Sequence, residues 1–133
     1  MFEEIGELTG IFIIIFYSIA ASRMLFRLSY KTFGKSIQKH PKFQKSFIAV
    51  WKFIRTKHNI FGMITLALIL IHFLIQVIDS ELSITGVIAA ILMVCQFGLG
   101  GYLTNKKPTN KIYAIIHRIL ALVVLIAILI HVL

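Results

Sequence analysis

The chain carries five histidines: His40, His58, His72, His117 and His131. Four of them form two pairs with one spacing. His72 follows His58 by 14 residues, and His131 follows His117 by 14. Fourteen helical residues turn through about 1400°, only ~40° short of four turns, and rise ~21 Å. Each pair therefore projects from one face of its helix at two depths. If the two helices run in the same direction, His58 faces His117 and His72 faces His131. Two opposed imidazoles suit the axial ligation of a haem iron, which blocks substrate binding and favours electron transfer. Zinc wants four converging ligands, and no Cys, Asp or Glu adjoins either pair. His40 precedes Pro41 in a basic stretch and reads as a solvated loop residue.

The elements that must hold these residues are membrane helices. Apolar residues make up 59% of the 133, against 14% charged. A soluble domain of this size has too much surface to cover with so few charges. One cysteine, Cys95, permits no internal disulfide. Four segments are long enough for ~30 Å of hydrocarbon: about 8–28, 59–78, 82–104 and 111–133. The expected fold is all-α, a four-helix transmembrane bundle forming a single domain over 1–133. Ionisable residues inside such helices are costly and mark function by default.

The net charge of +9 would suggest nucleic acid in a soluble chain, but the charges are segregated along the sequence. Ten basic residues lie between Arg23 and Lys57 with no acid among them, and the other four are Lys106, Lys107, Lys111 and Arg118. The acids are Glu3, Glu4, Glu7, Asp79 and Glu81. This pattern places the basic connections in the cytoplasm and both termini outside. The expected setting is the plasma membrane, crossed several times, with no nucleic-acid partner. Glu3, Glu4 and Glu7 are the reverse of a basic signal-peptide n-region, so the first helix is expected to be retained. Between helices one and two lies a long basic linker, about 30–57. Within it, residues 41–57 repeat Phe43, Phe47, Trp51 and Ile54 at helical spacing. This amphipathic helix either lies at the inner interface or runs straight into helix two. It would hold anionic lipid or dock a cytoplasmic electron donor.

Helix three adds Gly86 and Gly100, again 14 apart. Running the other way, it sets Gly86 at the outer histidine level and Gly100 at the inner. Glycine there serves small-residue helix packing or clearance for a flat porphyrin. Lys57 and Arg118 adjoin His58 and His117, as topology charges or as partners for the inner haem's propionates. The outer level has no such cation, and the candidates to partner an outer haem's propionates are Ser80, Ser83 and Thr85, or water. Cys95 and Gln96 read as buried packing and a helix–helix hydrogen bond rather than redox or quinone-binding groups.

With these residues in hand, the chain resembles the transmembrane dihaem b-type cytochromes. It looks most like the four-helix haem core of cytochrome b, and shares paired His-bearing helices with ferric reductase and NADPH oxidase membrane domains. The resemblance covers helices two to four. It implies two haem b groups, iron-ligated by His58 with His117 and by His72 with His131. The implied function is transmembrane electron transfer, from a cytoplasmic-side or quinol donor to an acceptor at the outer face. The alternatives are a haem-bearing anchor for a larger redox complex and a non-redox transporter or regulator. No trusted quinone-site signature and no flavin or nicotinamide domain is present, so an oxidoreductase substrate (quinol, metal ion or superoxide) stays open. A redox partner protein or quinone fits the pattern. The charge pattern predicts that a cysteine at Ser36 reacts with impermeant thiol reagents only from the cytoplasmic side, and one at Ser80 only from outside; the reverse labelling would invert the topology.

Overall fold

The computed structural model describes residues 2–79 and 82–132, without the side chains of residues 2 and 3. Four helices follow one another: α1 (Phe2–Gln38), α2 (Pro41–Ile78), α3 (Ile84–Lys106) and α4 (Ile112–Val132). All four are long and apolar enough to cross a membrane. Their outward faces carry large apolar side chains such as Ile11, Leu70, Ile91 and Ile126, each more than half exposed. In water such a surface would drive aggregation; in a bilayer it is the lipid face.

The expected long linker is not a linker. α1 continues for 37 residues to Gln38, and α2 runs unbroken for 38 from Pro41. The chain reverses at Lys39–His40. His40 is extended (φ −118°, ψ 86°) because the following proline disfavours the helical region, and Pro41 then fits the first helical position. Residues 41–57 therefore belong to α2 and run straight into the second span, the second of the two placements expected for them. Ser83 caps α3, accepting from Gly86 N at 3.1 Å. Asn110 Oδ1 accepts from Ile112 N at 2.9 Å as α4 begins.

α1 packs along α2, and α3 along α4. Each of these hairpins meets the other only along the α2–α3 and α1–α4 seams. Among the described residues no Cα of α2 comes within 8 Å of one in α4, nor any of α1 near α3. These two pairs are the diagonals of the bundle, and α2 faces α4 across its axis.

A seven-residue spacing organises the interior into three layers. Seven residues fall ~20° short of two turns, so positions seven apart share a face on a slightly supercoiled helix. The middle layer is Ile13, Thr65, Met93 and Val124, each 7% exposed or less. Each is seven residues from a position in the layer above and another below: Gly6 and Ala20, His72 and His58, Gly86 and Gly100, His131 and His117. Thr65 satisfies its buried hydroxyl by donating to Phe61 O at 2.8 Å within its own helix. Tyr17 Oη donates to Ala121 O at 2.6 Å and ties α1 to α4. Val124 is fully buried. Replacing Val124 with Ala should cost about 2 kcal/mol in reversible detergent unfolding, and Tyr17→Phe about 1 kcal/mol; an unaffected Val124→Ala protein would mean that the middle layer is not close-packed.

Candidate functional site

Each histidine pair meets across the bundle axis. The ring centroids of His58 and His117 lie 6.3 Å apart with planes at 83°. Those of His72 and His131 also lie 6.3 Å apart, with planes at 76°. Both pairs thus stand as the spacing requires, one at each level.

The supporting helices fix the rings. His58 Nδ1 donates to Ala20 O at 3.1 Å. His72 Nδ1 donates to Gly6 O, also at 3.1 Å, with Thr9 Oγ1 at the same distance. A backbone carbonyl only accepts, so Nδ1 carries the proton in both rings and Nε2 keeps its lone pair free for a ligand. His131 Nδ1 lies 3.1 Å from Ser83 Oγ and 3.2 Å from Thr85 Oγ1. Ser83 and Thr85, two of the candidates for an outer propionate, thus stand against the imidazole, while Ser80, the third, lies outside the described residues.

The fourth histidine differs. Gln96 Nε2 sits 3.4 Å from His117 Nε2. Gln96 Oε1 and His117 Nδ1 are buried without a partner among the described residues. An unpaired buried polar group costs about 1–3 kcal/mol, so the inner end of the α3–α4 hairpin holds unspent hydrogen-bonding capacity.

Gly86 and Gly100 lie directly against the imidazoles. A Cβ at Gly86 would fall 2.8 Å from His131 Cε1, and one at Gly100 would fall 3.1 Å from His117 Cε1. The clearance they give is for the α4 histidine rings. Gly98 and Gly101, by contrast, have nothing within 4 Å. On the α1 side, a Cβ at Gly10 would stand 3.8 Å from His72 Cε1. A cleft of about 500 Å³ opens at the outer level, lined among others by Gly10, His72, Phe73, Gly86, Met93 and His131. That is within the range that holds small molecules and cofactors.

Among the described residues no three His, Cys, Asp or Glu side chains converge. Among the described residues each level therefore offers a metal two imidazoles. Near the inner pair stands a group of cations. Arg23 acts electrostatically on both His58 and His117, and lies within range of Arg27, Arg55 and Arg118. Arg118 also acts on His117. Lys57 is exposed. Cys95 is exposed too, a correction to the expectation of burial.

Sequence reasoning missed Gly6, Thr9 and Ala20, Gln96 as a neighbour of His117, and Arg23 as the cation shared by the inner pair. A signal for the first group existed: Gly6 and Ala20 are small residues 14 apart, the same spacing as the histidines they orient. No protein-family model, no curated protein and no solved structure matches the chain.

Gly86→Ala and Gly100→Ala should each destabilise the protein by about 1–3 kcal/mol, while Gly98→Ala and Gly101→Ala stay within about 0.5 kcal/mol. Equal effects across the four, read by detergent unfolding, would remove the ring-clearance role.

Proposed function

We propose that the protein is a dihaem b-type electron carrier of the plasma membrane. In this reading, His58 with His117 ligate an inner haem, and His72 with His131 an outer one. The observation that carries it is the paired separation of 6.3 Å. A metal–imidazole bond is about 2.0 Å, and the ligating nitrogen lies ~1.1 Å from its ring centroid. Two imidazoles facing each other across one metal ion therefore have centroids ~6.2–6.4 Å apart. The tautomers of His58 and His72 support the same reading, since each presents a free Nε2 lone pair. So does the lack of a third ligand at either level among the described residues, which suits a metal that brings its own macrocycle.

Bound there, haem supplies one-electron chemistry through its iron. The chain's residues do the rest. Ala20 and Gly6 carbonyls hold the α2 imidazoles and raise their basicity. Ser83 and Thr85 hold His131. Gln96 is the polar side chain beside His117, 3.4 Å from the Nε2 that would ligate, and it would turn away as that nitrogen takes the iron. Arg23, with Arg118, offers bidentate donors to the carboxylates of an inner haem. The outer level has no such cation, because all 14 basic residues fall on the inner side in this topology. The buried middle layer of Ile13, Met93 and Val124, with its self-satisfied Thr65, separates the two levels. It keeps them ~21 Å apart. Both termini face outside and the basic turns face the cytoplasm.

The protein purified with haem should hold two non-covalent haems per chain, since no Cys-x-x-Cys-His is present. In reduced-minus-oxidised visible spectra, His58→Ala and His117→Ala should each remove the same haem, and His72→Ala and His131→Ala the other. A colourless protein, or loss of one common haem from His58→Ala and His72→Ala, would sink the assignment.

A further inference from the structure

The first hairpin is much longer than the second. α2 begins at Pro41 and reaches His58 only near its middle, whereas α4 begins at Ile112, little more than a turn before His117. α1 runs on from Ala20 to Gln38, whereas α3 runs on from Gly100 only as far as Lys106. Both comparisons leave a little over three turns of overhang, ~18 Å of helix. It comprises positions 27–38 of α1 and 41–52 of α2.

The overhang is a built structure. Tyr30 packs on Trp51 and Phe47 with centroids 5.3 and 6.2 Å apart, and Phe26 lies 5.1 Å from Phe47. Ile37 is buried near the tip, at 7% exposure. These contacts zip α1 to α2 and continue the bundle axis outward.

Its surface is one-signed. Arg27, Lys31, Lys35, Lys39, Lys42, Lys45 and Lys52 stand on it, all exposed and with no acidic residue among them. The polar layer of a bilayer adds only ~5–8 Å to each side of the hydrocarbon. Arg23, Arg55, Lys106, Lys107 and Lys111 already serve that layer. With Arg23 and Arg55 at the hydrocarbon edge of the proposed topology, Lys31, Lys35, Lys39, Lys42 and Lys45 would lie ~12 Å or more farther along their helices, past that layer. Beside them Phe33 and Phe43 are 62% and 57% exposed. Exposed aromatic side chains are enriched at protein interfaces, and the charge around them selects the partner. A second copy would be repelled by the same charge.

We propose that this projecting hairpin is a docking surface for the acidic face of a soluble protein. In the haem reading above, on which this last identity rests, that protein exchanges electrons with the inner site.

The test uses the full chain in phosphatidylcholine nanodiscs, with flavodoxin as an acidic soluble probe and cytochrome c as a basic one. Binding is followed by interferometry, and haem absorbance is recorded on the same discs. Flavodoxin should bind at 20 mM salt and at least tenfold more weakly at 150 mM. Combined Lys31→Glu, Lys35→Glu, Lys42→Glu and Lys45→Glu should weaken it at least tenfold and favour cytochrome c. The control reversal Lys106→Glu with Lys107→Glu should change binding less than twofold. Flavodoxin binding that ignores salt, is absent, or falls equally in both reversals overturns the proposal. In a Cys95→Ser background, a bimane label at Phe43→Cys should escape quenching by brominated lipid in phosphatidylglycerol bilayers. Quenching equal to that of a label at Leu70→Cys would show a hairpin lying on lipid, and also overturns it. Discs that bind flavodoxin but carry no haem uphold the docking surface and overturn only the electron-transfer identity of the partner.

Discussion

Four imidazoles in a lipid-filled environment impose the constraint on which the rest depends. A ring nitrogen there finds no partner in hydrocarbon and must take one from the protein or from a ligand. Helices α1 and α3 supply Nδ1 partners to His58, His72 and His131, and Gln96 stands beside His117 Nε2. The carbonyls of Gly6 and Ala20 reach His72 and His58 because those positions are small enough for the helices to close up. Gly86 and Gly100 leave room for the rings of His131 and His117. With Nδ1 engaged, His58 and His72 keep Nε2 free, and each ring stands 6.3 Å, centroid to centroid, from its counterpart on α4.

This division of labour repeats. Gly6 and Ala20 in α1 have their counterparts in Gly86 and Gly100 of α3, as His58 and His72 in α2 have theirs in His117 and His131 of α4. Each half is a supporting helix followed by a histidine-bearing helix, with one internal spacing throughout. The halves differ in what joins their inner positions. Between Ala20 and His58 the chain makes the whole basic overhang, whereas between Gly100 and His117 it makes only a short turn. The two like halves make the two levels, and the extra chain in the first makes the one feature that breaks their equivalence. The match is imperfect at one corner. His117 has Gln96 beside it where the other three rings have carbonyls or hydroxyls on Nδ1.

Much of this was legible in the sequence. The histidine pairs could be read because helical geometry turns a 14-residue spacing into a shared face, whatever the neighbours are. The four spans and the glycine levels followed from length, hydropathy and the same arithmetic. What was not legible depended on tertiary partners. Positions 29–38 carry the Ser, Lys, Gly and Gln of a polar connection, yet Phe26, Tyr30 and Ile37 pack on α2 and keep them helical. Arg23 read as topology charge, because nothing local says that it reaches both inner histidines. Cys95 read as buried from its apolar neighbours, but its side of α3 faces outward.

The central claim is that each level holds one iron between two nearly perpendicular imidazoles. Perpendicular axial rings leave the iron dπ orbitals close in energy, which makes a ferric low-spin signal strongly anisotropic. The direct measurement is low-temperature electron paramagnetic resonance of the oxidised, haem-loaded protein with spin quantitation. The account predicts strongly anisotropic low-spin signals that integrate to two irons per chain. High-spin iron as the main species, a single iron per chain, or no haem signal would contradict it.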